Sequence, residues 1–209
     1  INATDTEWLT QTDDCSDAKF IGCLCLQEEA DEEEMEEEEE EEEEPEEEAT
    51  INFLFASTST VAADFGDRAA ADAICTTSQT TSFPELQCDG VAAFVSYDSE
   101  DEVADFPTAY GLDTSLEIQN ASISNTKVAD NWADLLDGDI DSAIGFTWWS
   151  DTLTDGTVNG FNCMEWTSTD GAEEVSVGTD TETDGFWSGT SDGMCDESHN
   201  LLCLCYQEE

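Results

Sequence analysis

Apolar and polar positions first alternate at residues 51–56, INFLFA, where Ile51, Phe53 and Phe55 fall on one face of a predicted strand. After a turn around Gly66 the period lengthens, and Ala70, Ala73 and Ile74 recur at helical spacing over 67–78. Asp67 stands where it caps that helix, and Cys75 lies on it. Residues 91–97, VAAFVSY, return to a strand. Between 128 and 136, Val128, Trp132, Leu135 and Leu136 form the face of a second helix that Gly138 ends. Short aromatic-rich strands follow at 144–149, 161–167 and 201–206, separated by Gly, Asp and Thr as in long irregular loops. The expected class is α+β, with two helices early and short strands and long loops late.

In the last strand, residues two apart point the same way, so Cys203 and Cys205 share one face while Leu202 and Leu204 share the other. This strand is written twice. Residues 15–29, CSDAKFIGCLCLQEE, align with 195–209, CDESHNLLCLCYQEE, so that Cys15, Cys23, Cys25 and Gln27 match Cys195, Cys203, Cys205 and Gln207 at an offset of 180 (205 − 25). Upstream, Trp8 matches Trp187 at an offset of 179 (187 − 8). A fixed long period marks a tandem array. The expected organisation is the end of a preceding repeat at 1–27, a polyacidic linker at 28–49, one domain at 50–206 and the start of the next linker at 207–209. In the alternative, Ile1 is a processed terminus and residues 1–27 are a donor segment completing a neighbouring chain's domain.

Charge sharpens this division. From 28 to 48 every residue is acidic except Ala30, Met35 and Pro45, so 18 (21 − 3) of the 54 acids lie in one segment that cannot bury a core. The other 36 (54 − 18) face only Lys19, Arg68 and Lys127. Such a surface repels nucleic-acid phosphates and anionic membranes, and the sequence contains no apolar run long enough for a membrane helix. Self-repulsion on this scale calls for screening cations or covalent links.

The repeat divides the nine cysteines into six, Cys75, Cys88, Cys163, Cys195, Cys203 and Cys205, and a leading three, Cys15, Cys23 and Cys25, whose partners would lie in an upstream unit. With a single histidine, His199, this set suits disulfides in an oxidising compartment rather than zinc. The sequons at Asn2 and Asn120 suit a secreted glycoprotein. Asp137, Asp139 and Asp141 alternate as in a calcium loop, though Ser142 replaces the required Gly, and the acids of 98–105 offer a second oxygen-rich loop. Gly189-x-Ser191-x-Gly193 matches a hydrolase nucleophile motif. No helix is predicted after it and His199 is the sole base, so it reads as a Gly-rich loop and no enzyme is expected. The tryptophans read as core, with Trp149 beside Trp148 the candidate for exposure.

The order of INFLFAST, AAADAIC, VAAFVSY, NWADLLDG, NCMEWTS, FWSGTSDGMC and LLCLCY over residues 51–206 resembles the C-type-lectin-like fold, in particular its endostatin-like branch and related bacterial extracellular domains. The resemblance implies paired first and last strands, one disulfide from Cys75 to Cys203 or Cys205, and another from Cys163 to Cys195. Cys88 stands outside the family pattern and is assigned to whichever of Cys203 and Cys205 is left. The Glu-Pro-Asn, Gln-Pro-Asp and Trp-Asn-Asp motifs of sugar-binding members are missing, as are endostatin's basic face and histidine zinc site. The expectation is a secreted structural subunit of an extracellular filament, appendage or matrix, assembled head to tail from copies of itself. It needs no cofactor, although Ca would suit its carboxylates. The alternative is a cell-surface adhesion module that binds carbohydrate or divalent cations.

Overall fold

The computed structural model describes residues 50–209, and the expected segments at 1–27 and 28–49 lie outside the described residues. The strand that ends the domain, β9 (Ser198–Tyr206), runs through the middle of a mixed sheet. β1 (Asn52–Ala56) and β3 (Gly90–Ala93) pair antiparallel with its second half, through Phe53↔Cys205 and Val91↔Cys205. β2 (Val61–Ala62) pairs antiparallel and β6 (Trp148–Trp149) parallel with its first half. Beyond β1 lie β4 (Ile118–Asn120), parallel to it, and β5 (Thr126–Ala129); beyond β6 lie β7 (Glu174–Gly178) and β8 (Thr190–Met194). The α+β class holds, and a strand made last in the sequence closes a sheet begun by the first.

Alternation along β9 divides the core. Leu202, Leu204 and Tyr206 face a cluster with Leu54, Phe94, Phe106, Trp132, Trp148 and Trp187. Leu201, Cys203 and Cys205 face the other, with Phe55, Val95, Trp149, Trp166 and the buried residues of α1 (Arg68–Ser82). Adjacent tryptophans of β6 thus serve opposite faces, as the period of two requires. The expected exposure of Trp149 is not found: it is fully buried, as is Trp148, because β6 lies between two other strands with a cluster on either face.

Local chemistry explains the helices. Asp67 accepts the Ala70 N–H at 3.0 Å, capping α1. Its buried face is Ala71, Cys75 and Ser78, displaced from the expected Ala70, Ala73 and Ile74, since the bond from Cys75 to β9 sets which side faces the sheet. The second expected helix, 128–136, is helical only in its second half. Val128 belongs to β5, Asn131 is extended, and its side chain accepts the Asp134 N–H to start the single turn α3 (Trp132–Leu135). Another short helix, α2 (Phe106–Tyr110), has Pro107 in its first turn and ends at Gly111 in the left-handed region.

The strand expected at 161–167 is also absent. Cys163, Met164, Glu165 and Trp166 take φ values of 52°, 55°, 56° and 59°, a left-handed turn that costs about 1–2 kcal/mol per residue. Three anchors hold it: the Cys163–Cys195 disulfide, the Asn162 side chain accepting the Glu165 N–H, and the buried Trp166 indole donating to the Ser96 carbonyl at 3.0 Å.

Candidate functional site

The six cysteines of the domain form three disulfides. Cys75 bonds Cys203, Cys88 bonds Cys205 and Cys163 bonds Cys195, with Cα separations of 5.5, 5.3 and 5.6 Å. The first two tie the middle of α1 and the loop beyond it to one face of β9. β9 is therefore hydrogen-bonded on both edges and covalently held, and it is the segment whose sequence recurs at 15–29. Cys15, Cys23 and Cys25 lie outside the described residues.

Carboxylates converge at one surface point. Oxygen atoms of Asp130, Asp134 and Asp141 lie within 4.8 Å of one another. Of the expected trio only Asp141 takes part; Asp137 instead accepts the Asp139 N–H in a local turn. Lys127 Nζ bonds Asp141 at 2.8 Å and also Asp130, so an ammonium already stands among the acids. These two aspartates and their hydrogen bonds push the Lys127 pKa up. Asp130 and Asp134 escaped the sequence reading because Asp130 lies in the β5–α3 junction and Asp134 within α3, a stretch that looks like continuous helix. The Asn131 cap was the signal for it.

Of the acids of 98–105, Asp101 and Glu102 are engaged within the fold. Asp101 takes the Arg68 guanidinium, with Nε and Nη2 both reaching Oδ1 at 3.0 and 2.7 Å, and Glu102 accepts the Val158 N–H. Arg68 also donates to the Ala93 and Val95 carbonyls and lies over the rings of Tyr97 and Phe106. Burial raises the Asp72 carboxyl beside it, opposed by the Ala93 amide and the Arg68 charge.

Asp151 had no sequence signal. It is fully buried with φ 48°, and its Oδ1 accepts the Phe161 N–H at 2.7 Å, while Oδ2 has no protein partner. Burial pushes its pKa up to about 7, against the pull of the Phe161 and Gly160 amides and the Asn162 side chain. Ser150, Thr152 and Ser176 are buried around the same strands, making this the polar heart of an otherwise aromatic region.

Other sequence candidates take plain positions. Asn120 is buried, its amide donating to the Ile144 carbonyl at 2.9 Å, so the fold leaves no room for a glycan on that nitrogen; Asn2 lies outside the described residues. The stretch Gly189–Gly193 leads into and forms most of β8, a strand paired with β7, where a loop was expected. His199 lies beside Thr147, Glu197 and the edge of Trp149. Among the described residues no helix is long and apolar enough to cross a membrane. Near the left-handed turn, Phe161 and Met164 are exposed on a groove shared with Ala172 and Glu174. No family model matches the chain, and no curated protein matches it in sequence.

Proposed function

We propose that this chain is a secreted structural protein, built of disulfide-locked lectin-like modules joined by polyacidic linkers and assembled head to tail into a filament, appendage or matrix. The observation that carries this reading is the recurrence, at residues 15–29, of the sequence of the domain's central strand and its cysteines. Three disulfides in one domain suit an oxidising, extracellular setting. The dense negative charge keeps modules apart in solution and makes their association responsive to cations. Exposed Phe161, Met164 and Phe186 supply apolar contact for a neighbour. Electron microscopy of protein from its native source tests the proposal: continuous strands of regularly spaced modules are expected, and dispersed single particles over a range of calcium concentrations would overturn it.

A second reading, an adhesion module that binds divalent cations or carbohydrate, draws on the Asp130, Asp134 and Asp141 cluster. Its mark is glycan-array binding that a chelator abolishes.

A further inference from the structure

The sequence contains one Asn-Gly pair, Asn159-Gly160, a strong local turn signal. It joins two sheet contacts, the Thr152–Val158 bridge before it and the Asn162–Val175 bridge after it. Gly160 is exposed with φ 89°, and a Cβ there would meet nothing within 4 Å, so the left-handed backbone rather than crowding calls for glycine. Asn159 is half-buried, and its side-chain amide has no hydrogen-bond partner among the described residues.

Three successive main-chain amides wrap around one acid. The Asn159 N–H donates to the Asp151 main-chain carbonyl at 2.9 Å and the Phe161 N–H to Asp151 Oδ1 at 2.7 Å, while the Gly160 N–H between them draws on the same carboxylate. Oδ2 of that carboxylate is buried and has no protein partner, so it is free to accept a proton. The Gly160 nitrogen is the atom that attacks in asparagine cyclisation, and a glycine shields it least.

We propose that Asn159 is a site of self-catalysed deamidation, with Asp151 as its general base. The Asp151 carboxylate takes the Gly160 N–H proton and the nitrogen attacks Asn159 Cγ. The new N–C bond closes a succinimide, the bond from Cγ to the side-chain nitrogen breaks, and ammonia leaves with the proton that Asp151 returns. Water then opens the ring at either carbonyl, giving aspartate or isoaspartate. Water is the sole co-reactant and no electrons change hands.

The product alters the root of the 152–158 hairpin. A carboxylate at 159 is added close to a buried acid, and the extra main-chain carbon of isoaspartate displaces the N–H donors that hold Asp151. The hairpin's other seat is on residues 102–104, where the Ala104 N–H donates to the Gly156 carbonyl and the Val158 N–H to Glu102. Exposed Phe161 directly follows the modified pair, so the surface it presents changes with the age of the molecule.

Peptide mapping by mass spectrometry tests this on the full chain, incubated folded and, in parallel, unfolded in urea at the same pH. Deamidation adds the mass difference between an acid and an amide, which isomerisation at the chain's Asp-Gly pairs does not. Asn159 is expected to convert ahead of the other asparagines, and at least about tenfold faster in the folded chain than in the unfolded one. Asp151→Asn, its folding checked by circular dichroism, should bring the folded rate down to the unfolded rate. Should that variant not fold, the parent decides: its ratio of folded to unfolded rate should climb as pH rises through about 7, where the buried carboxyl ionises, and then level off. The groups packed around Asp151 are the Gly160 and Phe161 amides, the Asn162 side chain and the uncharged Ser150, Thr152 and Ser176, so no second charge distorts that profile. A folded rate no faster than the unfolded one, a parent-like rate in folded Asp151→Asn, or a ratio flat with pH would each overturn the inference.

Discussion

Cys203 and Cys205 stand two residues apart on one face of β9, and their partners Cys75 and Cys88 are 13 residues apart (88 − 75). The two disulfides consequently interleave along the sequence, each enclosing one cysteine of the other. With Cys75–Cys203 intact, Cys88–Cys205 closes a ring of roughly 15 residues rather than its full span, which corresponds to about 3 kcal/mol in the chain-entropy account. Replacing either pair with Ala is expected to lower stability by about that amount. Replacing both releases the long loop as well, for about 5 kcal/mol more, enough to unfold a domain of ordinary stability. Urea denaturation of the two single-pair variants and the double variant checks this; equal and additive losses would show that the rings are independent.

The carboxyl of Asp151 titrates near neutrality because it is buried, rising from 3.8 to about 7. The folded value exceeds the unfolded one, so this group's contribution is fully present below about pH 4 and is lost as pH rises through about 7. The difference amounts to at most about 4 kcal/mol. Asp151→Asn keeps an oxygen for the Phe161 amide and removes the titration. Thermal melts from pH 5 to pH 8 are expected to fall more steeply with pH for the parent than for the variant, and parallel profiles would contradict the assignment.

Lys127 occupies the ground a metal ion would contest. Its removal as Lys127→Met leaves Asp130, Asp134 and Asp141 facing one another without a cation. Calorimetric titration with calcium is expected to show affinity at least about tenfold above the parent, as the site loses a positive charge that opposes the ion. A second change, Asp134→Asn, should cancel the gain; identical isotherms for parent and Lys127→Met would mean that these carboxylates do not act together.

Arg68 contributes more through geometry than through charge. Asp101 is partly exposed, so Asp101→Asn is expected to cost no more than about 1 kcal/mol. Arg68→Lys keeps the charge but cannot reach Asp101 and both carbonyls of residues 93 and 95, and the Val95 carbonyl, bonded at 2.6 Å, loses its donor. A loss of about 2–3 kcal/mol is expected in urea denaturation. Equal effects of the two substitutions would assign the role to the ion pair.

Legibility varied along the chain for physical reasons. Asp67 and the alternation through Leu202, Cys203, Leu204 and Cys205 were readable because each local preference agrees with the fold around it. Val128, Trp132 and Leu135 were misread as one helix because the end of a strand and a one-turn helix can mimic a longer helical stripe. The turn Cys163–Trp166 was not legible, since four non-glycine residues adopt left-handed backbone only under the constraint of a distant cysteine and a buried indole. At the candidate cation site Asp141 was found by its alternation with other acids, whereas Asp130 and Asp134 join it through tertiary folding. Nothing local announces Asp151, whose burial depends on strands that come together only in three dimensions.

Because β9 is the final strand and also the middle one, the order of synthesis acquires meaning. A ribosome making this domain would have released β1, α1 and β3 long before the strand that joins them exists, so the sheet cannot close until the last residues emerge. In that interval Cys75 and Cys88 await their β9 partners. The domain would be sealed by its own last stretch of sequence, and oxidation of its cysteines to the native pairs would record that its translation had finished.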